Sequence, residues 1–188
     1  MPIYLITGAS GYIGSMLKKR LLDSDGYLKI VALSRNPGKP GERVYVIQAD
    51  LRDCNFPGYF YEKADQIDYI LHCASVTDSR EMVSHPVEVI QSIVNGTQNV
   101  LELARRYQIK SMVYLSSMEV YGETDCSDGH RAAEDTAGAG KVELLSARSC
   151  YPLGKRMAEN LCYSYFKEYG VPVKIARLSQ TFGRGVPS

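Results

Sequence analysis

The chain opens on Ile3-Tyr4-Leu5-Ile6-Thr7, followed at once by Gly8-Ala9-Ser10-Gly11-Tyr12-Ile13-Gly14. The first five residues are a short, mostly apolar run of strand length. The next seven carry three glycines at G-x-x-G-x-x-G spacing. Ile13, Leu17, Leu21 and Leu22 then recur at helical intervals. Strand, glycine turn and helix in that order make a phosphate cradle, because small residues let backbone N–H groups approach a pyrophosphate at the positive end of a helix. A tight turn alone also calls for glycine. The position of the triplet, between a strand and an amphipathic helix, selects the dinucleotide reading.

Outward from that motif, short apolar runs alternate with longer amphipathic ones. Strands are expected at Ile3–Thr7, Lys29–Leu33, Val44–Gln48, Tyr69–Cys73, Ser111–Ser116 and Val173–Leu178, with helices near Tyr12–Asp23, Pro86–Tyr107 and Pro152–Tyr169. Such alternation predicts an α/β fold of the Rossmann type, a doubly wound, mostly parallel sheet with helices on both faces. Residues 1–188 are expected to be one dinucleotide-binding domain, since a chain of 188 residues suits a single core. Between Gly122 and Ser149 only Val142, Leu144 and Leu145 offer apolar anchors, and a loop of that length in a compact domain is usually functional or mobile.

Composition removes several classes. Hydrophobic residues make up 45% and charged residues 23%, which is ordinary for a globular protein. A net charge of +1 with no basic stripe argues against nucleic acid as a partner. No apolar run reaches the ~20 residues needed to span a bilayer, and no signal peptide precedes Ile3. Cys54, Cys73, Cys126, Cys150 and Cys162 are odd in number and lack metal-ligand spacing, so no metal is expected and the thiols read as reduced, in a cytoplasmic protein.

Dinucleotide folds selective for NAD usually end the second strand in an acid that bonds the ribose 2′-hydroxyl. Here Ile30-Val31-Ala32-Leu33 ends in Ser34-Arg35. A hydroxyl leaves room for a 2′-phosphate and an arginine can clamp it, which favours NADP over NAD.

Tyr151 and Lys155 stand four apart and share one helix face. A free phenol titrates near ~10, too high for a base at neutral pH. A nearby lysine cation and an oxidised nicotinamide both favour the phenolate, and lowering the value by about three units needs roughly 4 kcal/mol. Ser117, just past the apolar strand Met112–Leu115, is placed to donate a hydrogen bond to the oxygen that Tyr151 deprotonates. Ser116 is the alternative hydroxyl. Ser149 is a candidate cap for the helix, with Pro152 in its first turn and Tyr151 slightly irregular before that proline. His72 reads as a satisfied structural residue, His85 as a helix-start residue and His130 as a loop residue. Cys150 lacks an identifiable base partner.

Taken together, Thr7-Gly8-Ala9-Ser10-Gly11-Tyr12-Ile13-Gly14-Ser15, Asp50-Leu51, His72-Cys73-Ala74-Ser75, Asn95-Gly96-Thr97, Ser117-Met118-Glu119-Val120-Tyr121-Gly122 and Tyr151-Pro152-Leu153-Gly154-Lys155-Arg156 resemble, in order, the motifs of the extended short-chain dehydrogenase/reductases, in their nucleotide-sugar epimerase/dehydratase branch. The resemblance implies a nucleotide-sugar substrate and transient hydride transfer at a sugar carbon, with Tyr151 as base, Lys155 tuning it, Ser117 orienting the oxygen and Glu119 as a further catalytic group. It places Gly8, Ser10, Gly11, Tyr12, Ile13, Gly14, Ser34, Arg35, Asp50, Leu51, Cys73, Ala74, Ser75, Tyr151 and Lys155 around the dinucleotide, with Asp50 toward the adenine amino group. Thr77 and Gln180 fall to the substrate. It also implies a homodimer through the helices near 86–107 and 152–169, where Leu161, Tyr165 and Phe166 exceed one buried stripe, and a smaller substrate domain beyond Ser188.

Two positions depart from the pattern: Ile93 and Gln180 stand where relatives usually carry asparagine. Met118 also bears on the chemistry. Dehydratases of this branch hold an aspartate–glutamate pair after the hydroxyl residue, and a thioether cannot donate a proton. Glu119 therefore suits epimerisation, or decarboxylation of a glucuronate, better than loss of water. A non-catalytic dinucleotide sensor would need the glycines but not Ser117, Tyr151 and Lys155 together. A reductase of steroid- or flavonoid-like ketones is disfavoured by Glu119.

Overall fold

In the computed structural model, residues 1–188 are described except 25, 62–63, 124–131, 137 and 184–188. His130 and Cys126 lie outside the described residues. Six parallel strands are present: β1 Ile3–Thr7, β2 Lys29–Ser34, β3 Val44–Gln48, β4 Tyr69–His72, β5 Ser111–Ser117 and β6 Val173–Leu178. They lie in the order β3-β2-β1-β4-β5-β6. This is the doubly wound arrangement expected, with direction reversing at β1 and β4, where such sheets open a crevice beyond the strand ends.

Alternation along the strands explains why both faces need cover. Leu5, Val31 and Leu33 point into one core with Val100, Leu101 and Tyr114, while Ile6, Ile30 and Ala32 point into another with Leu21 and Leu22. Helix α1 (Tyr12–Ser24) covers the second face. The first is covered by α4 (Pro86–Tyr107) and α5 (Cys150–Tyr169), which pack on each other. Their apolar rhythm is the reason both were legible in the sequence.

Two short helices were not expected, α2 (Phe56–Tyr61) and α3 (Ser79–Ser84). Six residues complete fewer than two turns, too few for a periodic signal. Helix α3 starts where the Asp78 carboxylate accepts from Arg80 N at 2.8 Å. The start of α5 also differs from expectation. A 3₁₀ turn, Ala147–Ser149, leads directly into it, so Ser149 has helical backbone angles and makes no side-chain cap. Tyr151 lies inside the helix, with Pro152 in the first turn, where its missing N–H costs nothing.

The last residue of β4 ties the two halves of the sheet together. His72 is 1% exposed. Its Nδ1 meets Thr7 Oγ1 at 2.7 Å and its Nε2 meets Thr97 Oγ1 of α4 at 3.1 Å. Both ring nitrogens are satisfied by neutral partners, as a structural histidine requires. Burial, reinforced by the Lys155 charge, holds its pKa down to about 3.

A folded pKa below the usual histidine value means that the unfolded chain binds more protons between the two, so stability falls as pH drops from about 6.5 towards 3, by at most ~1.4 kcal/mol per unit. We expect His72→Gln to be less stable than wild type at neutral pH, with the gap narrowing as pH is lowered. Urea unfolding of both proteins across that range checks this, and a gap independent of pH contradicts it.

Candidate active site

The turn after β1 is built around two backbone contacts that exclude a side chain. A Cβ on Gly14 would lie 2.2 Å from Gly8 O, and one on Gly8, where φ is +66°, would lie 2.8 Å from Ala74 Cα. Gly8 O accepts from Gly11 N at 2.9 Å, and Gly11 O accepts from Ser15 N at 2.9 Å as α1 begins. The glycines thus set α1 close against the end of β4, the geometry a phosphate cradle needs.

A cavity of about 560 Å³ opens there, at the carboxyl ends of β1 to β4. Ten of the residues assigned to the dinucleotide line it: Gly8, Ser10, Gly11, Ser34, Arg35, Asp50, Leu51, Cys73, Ala74 and Ser75. Its size and small-residue floor fit a dinucleotide. Tyr12, Ile13 and Gly14 belong to the start of α1 rather than to the lining. Ser10 Oγ donates to Ser34 Oγ at 3.1 Å, and the Arg35 side chain is exposed at the rim.

Asp50 is engaged within the protein. Arg52 Nη2 donates to Asp50 Oδ2 at 2.7 Å, Arg52 N donates to Oδ1 at 2.9 Å, and Arg52 Nη1 reaches Glu88 Oε2 at 3.0 Å. The Arg52 contacts hold the Asp50 carboxyl below the usual carboxylate range, so it meets any ligand as an anion. Arg52 and Glu88 also line the cavity and belong to no motif in the sequence reading.

Beyond Ser75, the structure brings Ser117, Tyr151 and Lys155 together, buried at 8%, 7% and 2% exposure. Ser117 ends β5 and its Oγ accepts from Glu119 N at 3.2 Å, capping the 3₁₀ turn Met118–Tyr121. Ser116, the alternative hydroxyl, donates to Glu159 Oε1 at 2.5 Å, in a network closed by Arg177. Lys155 Nζ donates to Leu115 O at 2.8 Å and stands 5.7 Å from the Tyr151 ring centre.

The electrostatics differ from the simple expectation that Lys155 brings the phenol down. Burial pushes the Tyr151 phenol above its ordinary value; hydrogen bonding from Ser117, the Arg148 charge and Ser75 act the other way, while Glu119 adds to the rise. The same burial holds Lys155 down to about 8. Ser75 Oγ is buried beside the phenol, near enough to act on it but without a hydrogen bond of normal length and angle. Arg148, which like Arg52 and Glu88 belongs to no motif, donates to Glu119 Oε1 at 2.8 Å, while Thr97 of the Asn95-Gly96-Thr97 motif holds His72. No spacing marks an arginine as the partner of a residue 29 positions away.

Thr77 and Gln180 are both exposed. Ile93, on α4, is buried in the core against Gly154 of α5, so its departure from asparagine supplies packing. Cys73 and Cys162 are pushed up to about 12 by burial, which removes thiolate chemistry there at neutral pH. Among the described residues, no group of three or more His, Cys, Asp or Glu could hold a metal ion, and no helix is long and apolar enough to cross a membrane.

A glycine cradle at the switch point of a 3-2-1-4-5-6 sheet, with serine, tyrosine and lysine gathered at its carboxyl edge, defines an extended short-chain dehydrogenase/reductase. The chain belongs to the NAD dependent epimerase/dehydratase family, whose family model matches residues 4–188. It is 32% identical over 183 residues to UDP-glucuronic acid decarboxylase 1 of Danio rerio, covering 95% of this chain and 41% of that protein. Against UDP-glucuronic acid decarboxylase 6 of Arabidopsis thaliana it is 32% identical, covering 95% and 50%. The chain thus spans half or less of the length of these relatives. Among solved structures it resembles UDP-glucose 4-epimerase of Thermus thermophilus in complex with NAD, at a TM-score of 0.75 and 25% identity, covering 93% of this chain and 54% of that one. It shares its fold with dTDP-glucose 4,6-dehydratase of Bacillus anthracis in complex with NAD, at a TM-score of 0.77 and 24% identity, covering 98% and 56%.

Replacing Gly14 by alanine sets a methyl against a carbonyl oxygen that cannot yield without moving α1. We expect Gly14→Ala to weaken dinucleotide binding ~10-fold or more, equivalent to ~1.4 kcal/mol. Calorimetry on the two proteins checks this; equal affinity in a folded variant contradicts the cradle.

Proposed function

We propose that this protein interconverts nucleotide sugars by transient oxidation at a sugar carbon, followed by epimerisation or decarboxylation rather than by loss of water. The observation that carries the reading is the gathering of Ser117, Tyr151 and Lys155 beside Ser75, which lines the dinucleotide cavity, with Glu119 on the turn that Ser117 caps. A bound oxidised nicotinamide supplies hydride acceptance and return, together with a positive charge. The residues of the chain do the rest. Tyr151 takes the proton of the sugar hydroxyl on its phenolic oxygen. Ser117 donates a hydrogen bond to that oxygen. Lys155, anchored on Leu115 O, fixes the helix face from which Tyr151 projects.

Met118 is 44% exposed and carries no proton to give, so the position that serves as acid in dehydratases is empty of acid chemistry here. This favours the decarboxylating and epimerising relatives, and the identity to two UDP-glucuronic acid decarboxylases supports the first of these. A sensor without catalysis would have no use for a buried serine, tyrosine and lysine at one point. Thr77 and Gln180 are proposed to meet the sugar or its phosphates.

For the cofactor, Ser34 and Arg35 at the cavity rim support NADP over NAD, although the family is described by NAD. Asp50 is the proposed acceptor for the adenine amino group. Phe166 on α5 and Ile90 on α4 are 51% and 43% exposed, which supports pairing of two copies through these helices.

Full-length protein given dinucleotide and UDP-glucose, UDP-galactose or UDP-glucuronate, with products followed by mass spectrometry, tests the reaction. We expect an epimer of unchanged mass or loss of carbon dioxide, with Tyr151→Phe slower by ~10²–10⁴-fold. Efficient loss of water overturns the proposal. By calorimetry NADP should bind more tightly than NAD, and Arg35→Ala should narrow the difference; tighter NAD binding unaffected by the substitution contradicts the cofactor choice.

A further inference from the structure

Arg148 belongs to none of the motifs, yet it joins two residues of the site. Its Nη2 donates to Glu119 Oε1 at 2.8 Å, and its guanidinium carbon stands 5.8 Å from the centre of the Tyr151 ring. The three side chains come from separate elements: Glu119 from the turn after β5, Arg148 from the turn Ala147–Ser149, and Tyr151 from α5. The Arg148 turn is itself packed against α3. Arg148 Nη1 is buried without a hydrogen-bond partner. An ion pair serving only surface stability would leave that nitrogen in water, because a buried unpaired donor is costly.

Other groups face the phenol as well: Ser117 and Tyr114 from β5, Ser75 after β4, and Lys155 one turn along α5. Glu119 is the negative charge among them, and Arg148 is the cation in contact with it. We propose that Arg148 is a positioning residue of the proton-transfer site, fixing the Glu119 carboxylate by their ion pair and compensating its charge beside Tyr151. Without the arginine, an unpaired carboxylate would face the phenol and disfavour phenolate, and it would be free to leave the orientation that its turn now gives it. The directions agree, since Arg148 draws the Tyr151 pKa down while Glu119 raises it.

That Tyr151 is the base rests on the functional reading above; the coupling of the three side chains does not. The coupling is read on this chain, without substrate, by NMR of protein carrying ¹³C at the tyrosine Cζ, with the Tyr151 resonance assigned by its loss in Tyr151→Phe. We expect R148Q to move the Tyr151 titration midpoint upward, R148K to restore it, and E119Q to move it downward. The double variant R148Q/E119Q should return towards wild type. An unmoved midpoint in R148Q overturns the proposal, as does a double variant identical to R148Q. Should R148Q fail to fold, E119Q alone decides, and an unmoved midpoint there is equally fatal. In the full-length protein the acid limb of kcat/KM should move to higher pH in R148Q and return in R148K. If wild type turns over no nucleotide sugar, the functional reading fails while the titration result still stands.

Discussion

The seam between β1 and β4, where Gly8 lies against Ala74, is the constraint on which the rest of the structure depends. Three contacts hold it: Cys73 N donates to Thr7 O at 3.3 Å, Ala74 N to Thr7 Oγ1 at 3.2 Å, and the Thr7 hydroxyl meets His72. Because no side chain separates Gly8 from Ala74, the strand ends converge and the chain diverges immediately beyond them. That divergence is the cavity. The His72 to Thr97 contact extends the same seam into α4, so one run of hydrogen bonds joins the cavity floor to the helical layer. A bulkier residue at position 8 would separate the halves at the point where a ligand crosses from one to the other.

Burial at this seam also sets the chemistry. The same exclusion of water raises the Tyr151 phenol, lowers Lys155 and keeps His72 uncharged. A phenol in such a place stays protonated unless specific groups oppose burial. Here they are a serine hydroxyl and an arginine, with Glu119 acting against them. The site is therefore a balance of a few charges at short range, in which each counts for more than it would in water.

Much of this was legible in the residues. All six strands and the three long helices follow from apolar periodicity, and the glycine spacing marked the turn that forms the cavity. Ser117, Tyr151 and Lys155 are brought together as expected, and His72 is the satisfied core residue it promised to be. What stayed hidden depends on tertiary contact. Helices α2 and α3 are too short for a rhythm, and Ser149 lost its capping role because the 3₁₀ turn before α5 already continues the helical path. Arg148 and Arg52 act through partners 29 and 36 positions distant, and the contact of Thr97 with His72, 25 positions away, is a role that its motif does not announce. The sign of the Tyr151 shift was equally out of reach, since it depends on how deeply the ring is buried.

The central claim is that the cradle at Gly8 to Gly14 and the proton-transfer group at Tyr151 are two ends of one dinucleotide site. The most direct measurement is a crystal structure of this protein with the oxidised dinucleotide bound. The account predicts the pyrophosphate on the backbone N–H groups at the start of α1 and the nicotinamide beside Ser75 and Tyr151. A nicotinamide directed away from Tyr151, with the pyrophosphate off the glycine turn, would contradict it.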